Sequence, residues 1–211
     1  MNSRFFSIVA VMLIGIAVTT QAQEFRIGAM AGLNVSSPTN ENTRLGYHVG
    51  ARGEWDFRDA NKGLFLNFGA LLTEKGYKSN TFYDTTGQSM VWRVRPTYLE
   101  IPVHVGYRLP VGQKVSLFGS VGPYLGIGLF GKSKLTSELN GVKTTTTAAN
   151  NVFDAMRRVD YGIGLRLGAD FCCHYQISAA YDWGLRNTRS LPGGAPKERN
   201  RNLTVSLGYI F

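Results

Sequence analysis

The sequence predicts an all-β fold: an eight-stranded antiparallel up-and-down transmembrane β-barrel with short periplasmic turns and long extracellular loops. Three observations predict it. Apolar and polar residues alternate with period 2 in eight separate runs. The connections between those runs are alternately short and long. The last run, Asn202 to Phe211, ends on an aromatic residue, as outer-membrane barrels do where assembly begins. The composition agrees, with 25 glycines, 12% aromatic and only 18% charged residues, which suits many short strands in close backbone contact better than helices.

The first segment stands apart from the barrel pattern. Arg4 precedes an apolar run over 5–18, and Thr20-Gln21-Ala22 places small residues at the two recognition positions of a cleavage site. This predicts a signal peptide over 1–22 and a barrel domain over 23–211. The run is shorter than the ~20 apolar residues of a spanning helix, and no cysteine follows it to carry a lipid anchor. Membrane residence must therefore come from strands.

Each strand follows from its alternation. In the first, Phe25, Ile27, Ala29, Ala31 and Leu33 alternate with Arg26, Gly28, Met30 and Gly32. In the second, Tyr47, Val49, Ala51, Trp55 and Phe57 face away from His48, Arg52, Glu54 and Asp56, and Gly53 interrupts the apolar side. The third runs Leu64 to Leu72 against Phe65, Asn67, Gly69 and Leu71. In the fourth, Leu99, Ile101, Val103, Val105 and Tyr107 oppose Tyr98, Glu100, Pro102, His104 and Arg108; Pro102 within it predicts a bulge or distortion. The fifth covers Val115 to Leu129, the sixth Val159 to Phe171, the seventh Tyr175 to Leu185, and the eighth carries Leu203, Val205, Leu207, Tyr209 and Phe211 on one face. The connections around 58–61, 110–113 and 172–174 are short. Those over 34–44, 76–90, 132–156 and 186–200 are long and polar, and are expected as outer loops.

Alternation alone does not say which face points inward, since a secreted soluble barrel puts its apolar face inside. Three features choose the membrane form. The polar face carries Arg52, Glu54, Asp56, Glu100, Arg108, Asp160, Arg166, Asp170 and Asp182, mixed in sign and interleaved with glycine, a set able to pair across a narrow lumen. Aromatics on the apolar face cluster at strand ends, as interfacial girdles do. The third is terminal Phe211, which with Tyr209 is read as the assembly signal recognised by the barrel-assembly machinery. The closing strand is expected to pair with Phe25–Leu33, giving a monomeric barrel.

The stretch Tyr98-Leu99-Glu100-Ile101-Pro102-Val103-His104-Val105-Gly106-Tyr107 resembles the tyrosine-leucine-glutamate-isoleucine-proline strand of the PorT-type outer-membrane β-barrel family of Bacteroidetes. Gly119-Ser120-Val121-Gly122-Pro123-Tyr124-Leu125 and Asp160-Tyr161-Gly162-Ile163-Gly164 support the resemblance, which spans essentially 23–211. It implies a small outer-membrane barrel. The family's named member takes part in protein secretion and cell-surface assembly, so a secretion or surface protein partner is an implication by analogy.

Net charge is +9 and the isoelectric point about 9.7. An exported chain rarely meets nucleic acid, so basic loops facing anionic lipid or lipopolysaccharide are expected instead, with Arg186, Arg189, Lys197, Arg199 and Arg201 in the last loop. The loop 132–156, with Thr144–Thr147 and Lys132, Lys134 and Lys143, is read as a mobile polar loop or a surface for a partner protein or glycan.

Arg52, Glu54, Glu100, His104, Arg108, Asp160, Arg166 and Asp182 form the candidate lumen network, read as rigidifying a barrel too narrow for much besides side chains. Glu100 with His104 as an acid/base pair, or a narrow porin-like channel, is the alternative. A lipid A-modifying enzyme would need His48 or His104 near a serine such as Ser36, Ser37 or Ser89. No cofactor and no metal are expected, because the glycines recur at strand spacing and His174 stands at a turn. Cys172 and Cys173 are read as small residues of that turn, since neighbouring cysteines form a strained ring.

Overall fold

Residues 24–39, 41–57, 62–148, 150–154, 156–188 and 198–211 are described by the computed structural model. The strands are β1 (Glu24–Ser36), β2 (Arg44–Asp56), β3 (Gly63–Glu74), β4 (Tyr77–Lys78), β5 (Phe82–Tyr83), β6 (Ser89–Pro110), β7 (Val115–Leu139), β8 (Val142–Thr147), β9 (Val159–Phe171), β10 (Tyr175–Gly184) and β11 (Arg201–Ile210). Eight of them make the wall, pairing antiparallel in the order β1-β2-β3-β6-β7-β9-β10-β11. β11 returns to β1, from Gly28 opposite Ile210 to Ser36 opposite Asn202, and closes the ring. Every wall strand thereby has two partners, which is the condition for strands to lie in hydrocarbon. Among the described residues no helix is long and apolar enough to cross a membrane.

The pleat sends the two sequence faces where the barrel needs them. Phe25, Ile27, Leu33, Val49, Leu64, Val105, Leu117, Val121, Leu167, Val205 and Leu207 are exposed on the outer wall. Arg52, Glu54, Asp56, His104, Arg108 and Asp160 are each at most 4% exposed in the lumen. Gly53 is outward-facing, and a Cβ there would lie 2.8 Å from the Phe68 ring. Phe68 stacks on Phe25 at 6.0 Å and covers that gap in the apolar band. At the end of the barrel carrying the short turns, Phe211 donates its amide to the Ile27 carbonyl at 2.8 Å. Its ring packs on Tyr209 at 5.3 Å, and Tyr209 packs in turn on Tyr175 at 5.4 Å. Cys172 and Cys173 form the neighbouring three-residue turn, both at positive φ (51° and 64°).

One expectation about the wall is met in part and another is corrected. Pro102 produces the distortion and not the bulge. The β3–β6 ladder lapses at Gly69–Ala70, opposite Ile101 and Pro102, then resumes in the same register, because proline removes one donor without adding a residue. The register shift lies instead at Thr97/Tyr98, where Tyr98 pairs with Gly128 and Thr97 with Phe130. Leu129 is the extra residue on β7, just below the step where Pro96 faces Gly131.

The long loops 76–90 and 132–156 are likewise only partly loops. β6 begins at Ser89 and β7 runs to Leu139, so the two strands stay paired (Ser89 opposite Glu138) well past the ends expected from sequence. β4 and β5 pair with β6, and β8 pairs with β7 through Leu139–Val142, so a small sheet stands on the barrel rim. Polar side chains hid these strands, since alternation loses contrast where both faces are wet.

The same region also closes the mouth. The segment after β8 turns inward as a single 3₁₀ turn, Val152–Asp154, and buries Val152, Phe153 and Met156 against Val94 and Tyr98. Phe153 meets Tyr98 edge-on at 5.3 Å. Its ring occupies the space above Gly128, where a Cβ would lie 2.3 Å away. At the opposite end Phe65 and Phe118 meet edge-on inside the lumen at 6.1 Å, over Gly106 and Gly168.

Candidate functional site: the polar lumen

Below the aromatic cap the inward side chains sort into three levels, the lowest at the height of the Phe65–Phe118 pair, since Asp56 is opposite Phe65 and Arg108 opposite Phe118. In the level nearest the short turns, three guanidinium groups (Arg26, Arg52, Arg108) meet three carboxylates (Glu54, Asp56, Asp170). Arg108 is the hub. Its Nη2 donates to Glu54 at 2.6 Å, its Nη1 to Asp56 at 2.7 Å and its Nε to Asp170 at 2.7 Å, while its guanidinium lies 4.6 Å from the Phe65 ring centre. Arg26 donates to Glu54 at 2.9 Å and Asp56 at 3.0 Å, Arg52 pairs with Glu54, and Gln176 donates to Asp170 at 2.6 Å. Alternation at two-residue steps on β2 delivers Arg52, Glu54 and Asp56 in a column, and closure of the ring carries β6 and β9 across to meet them.

The level nearest the capped mouth is built around Lys75. Its ammonium pairs with Glu100, lies 3.8 Å from Asp160, and sits 4.4 Å from the centre of the Tyr124 ring. Asp160 also accepts from Asn200 at 2.9 Å and Tyr124 at 3.3 Å. Ser36 donates to Asn202 at 2.9 Å across the β1–β11 seam.

The middle level is sparsely bonded. Arg166 donates to the Met30 sulfur at 3.6 Å, and among the described residues neither ring nitrogen of His104 has a hydrogen-bond partner. His48 Nε2 stands 2.9 Å from Ser206 Oγ, its ring filling space left by Gly32. Asp182 faces Gly164 on the adjacent strand.

The structure thus brings Arg52, Glu54 and Arg108 into one cluster and Glu100 and Asp160 into another, with Asp182 beside the second through its hydrogen bond to Asn202, and leaves His104 and Arg166 outside both. Glu100 and His104 do not form an acid/base pair; Lys75 takes Glu100. The sequence reading missed Lys75 because it lies beyond the end of β3, where alternation has stopped. It also missed Ser206 as the serine beside His48. Among the described residues His48 Nδ1 has no hydrogen-bond partner, whereas an activated nucleophile needs its base held by a third group. Among the described residues no group of three or more His, Cys, Asp or Glu is placed to hold a metal. Chemically, the ion pairs link β1, β2, β6 and β9 at one level and, through Lys75, β6 and β9 at another. Of the last loop's basic residues, Arg189 and Lys197 lie outside the described residues, as does the segment 1–22.

A family model described as "Outer membrane protein beta-barrel domain" matches residues 21–190. Among solved structures, the chain is similar to the neisserial surface protein A, NspA, at 13% identity and TM-score 0.45, covering 90% of this chain and 100% of that one. OprG of Pseudomonas aeruginosa is similar at 11% identity and TM-score 0.44, covering 92% and 99%. Ail, the attachment invasion locus protein of Yersinia pestis, solved with the heparin analogue sucrose octasulfate, is similar at 13% identity and TM-score 0.38, covering 89% and 99%. No curated protein matches the chain.

Proposed function

Because the chain belongs to the outer membrane protein beta-barrel domain family and resides in the cell outer membrane, we propose that it is a non-enzymatic scaffold whose extracellular sheet engages a secretion or surface protein, as the PorT-type resemblance implies. The observation that carries this reading is the unequal elaboration of the two ends. One end has connections as short as 172–174, while the other raises β4, β5, β8 and the outer halves of β6 and β7 above the rim. A sheet built beyond the membrane, over a lumen filled with ion pairs, puts the accessible surface outside. The barrel inserts as a monomer, with β11 and its terminal aromatics presented to the assembly machinery.

The test is co-purification from native membranes with and without residues 132–148. The expected result is a partner retained by the full chain and lost by the deletion, with the barrel still inserted. A barrel recovered alone, with secretion intact in its absence, overturns the reading.

A further inference from the structure

The outer sheet carries its positive charge in an arrangement that costs the fold energy. Lys78 of β4 is directly opposite Arg93 of β6, and Arg93 is directly opposite Lys134 of β7. One step toward the membrane, Arg95 is directly opposite Lys132. Like charges directly opposite on neighbouring strands repel, and here three such pairs adjoin. Among the described residues none of the five has a carboxylate within ion-pair distance; the surface pair of this sheet is Lys143 with Glu138, at 3.5 Å.

Their position is as specific as their spacing. Val94 points inward to the apolar cap, so Arg93 and Arg95 point outward. On β7 the extra residue Leu129 reverses the phase of alternation. Below it the odd residues Val121, Leu125 and Ile127 face lipid; above it Phe130, Lys132 and Lys134 do. Without that bulge Lys132 and Lys134 would point over the barrel mouth. With it they stand on the outer face, about 7 and 13 Å beyond Phe130 at strand rise, outward of the exposed Val121, Leu125 and Ile127 of the same strand. Beside Lys132, a groove of about 460 Å³ lined by Thr147, Asn150 and Asn151 supplies hydroxyl and amide groups.

We propose that Lys78, Arg93, Arg95, Lys132 and Lys134 form a lateral binding site for the phosphorylated headgroup of an outer-leaflet glycolipid, the phosphates bridging the cross-strand cationic pairs and the sugar lying in the groove beside Lys132. Phosphate oxygens satisfy several cations at once through charge-assisted hydrogen bonds and remove the repulsion between them. The site depends on the membrane placement of the barrel and not on the protein partner proposed above, so the two can fail separately.

The test uses the full-length barrel in neutral detergent micelles, with native mass spectrometry counting bound lipid and heat-modified gel mobility confirming the fold. The probes are bis-phosphorylated lipid A, the same lipid dephosphorylated, and inorganic phosphate. The expected result is at least a ten-fold preference for the phosphorylated lipid. That preference should be lost in Arg93→Gln/Lys134→Gln and in Arg95→Gln/Lys132→Gln, and kept in Lys114→Gln at the opposite end. Because these substitutions relieve repulsion, both double variants should stay folded in lipid-free micelles at least as well as the parent. An undiminished preference in both double variants overturns the proposal. Competition by equimolar inorganic phosphate also overturns it, by making the site one for a free anion.

Discussion

At Arg108 three carboxylates converge on one guanidinium that is fully buried. A buried charge network resists removal of one member far more than its net contribution suggests, because each partner is left desolvated and unpaired. Arg108→Leu should therefore destabilise the barrel by about 3–5 kcal/mol, read as earlier loss of the compact gel band on heating or in urea. Arg166→Leu, whose side chain makes no ion pair among the described residues, should cost far less, and an equal loss would show that the Arg108 cluster has no special weight. Glycines act at this scale as shaped gaps. A Cβ on Gly122 would fall 2.1 Å from the Val103 carbonyl oxygen and 2.7 Å from the His104 Cα. Gly122→Val should therefore prevent the β6–β7 pairing and leave the chain unassembled, which fractionation of membranes detects.

The elements divide labour between wall and rim. β6 and β7 are wall strands in their inner halves and sheet scaffold in their outer halves, with the bulge at Leu129 marking the change. The cap formed by Val152, Phe153 and Met156 ties this outer sheet to the lumen mouth. Phe153→Ala removes a large buried ring, a change of about 3–5 kcal/mol in a well-packed core. Since the ring belongs to the cap and not to the barrel ladder, the loss should appear as faster amide exchange and proteolysis over 142–158, with heat-modifiability of the barrel unchanged. Coincident loss of both would mean that cap and barrel fold as one unit. Only part of this was legible in advance. Val152, Phe153 and Met156 are apolar residues inside a polar stretch, but nothing local tells that they turn inward, and charged residues alternating with charged or hydroxyl residues conceal strands such as β8.

For the whole molecule, the closed ring and the filled lumen make one statement about transport. Ion-pair clusters at two levels occupy the described lumen, and we predict on that ground that planar bilayers containing verified inserted protein show no discrete conductance. Stepwise openings would support the channel alternative instead. We also expect exported protein to begin at Gln23, as intact-mass measurement would report. The sequence by itself determined the class of fold, the wall strands, the outward apolar face and the β1–β11 seam, because period-2 alternation is a local property and a membrane barrel requires each strand to obey it. Only the tertiary structure decided which lumen charges pair, that Lys75 and not His104 holds Glu100, and that Lys78, Arg93 and Lys134 stand in one row. Those relations depend on register between strands distant in sequence, and a single bulged residue is enough to turn a side chain from the mouth of the barrel toward the lipid.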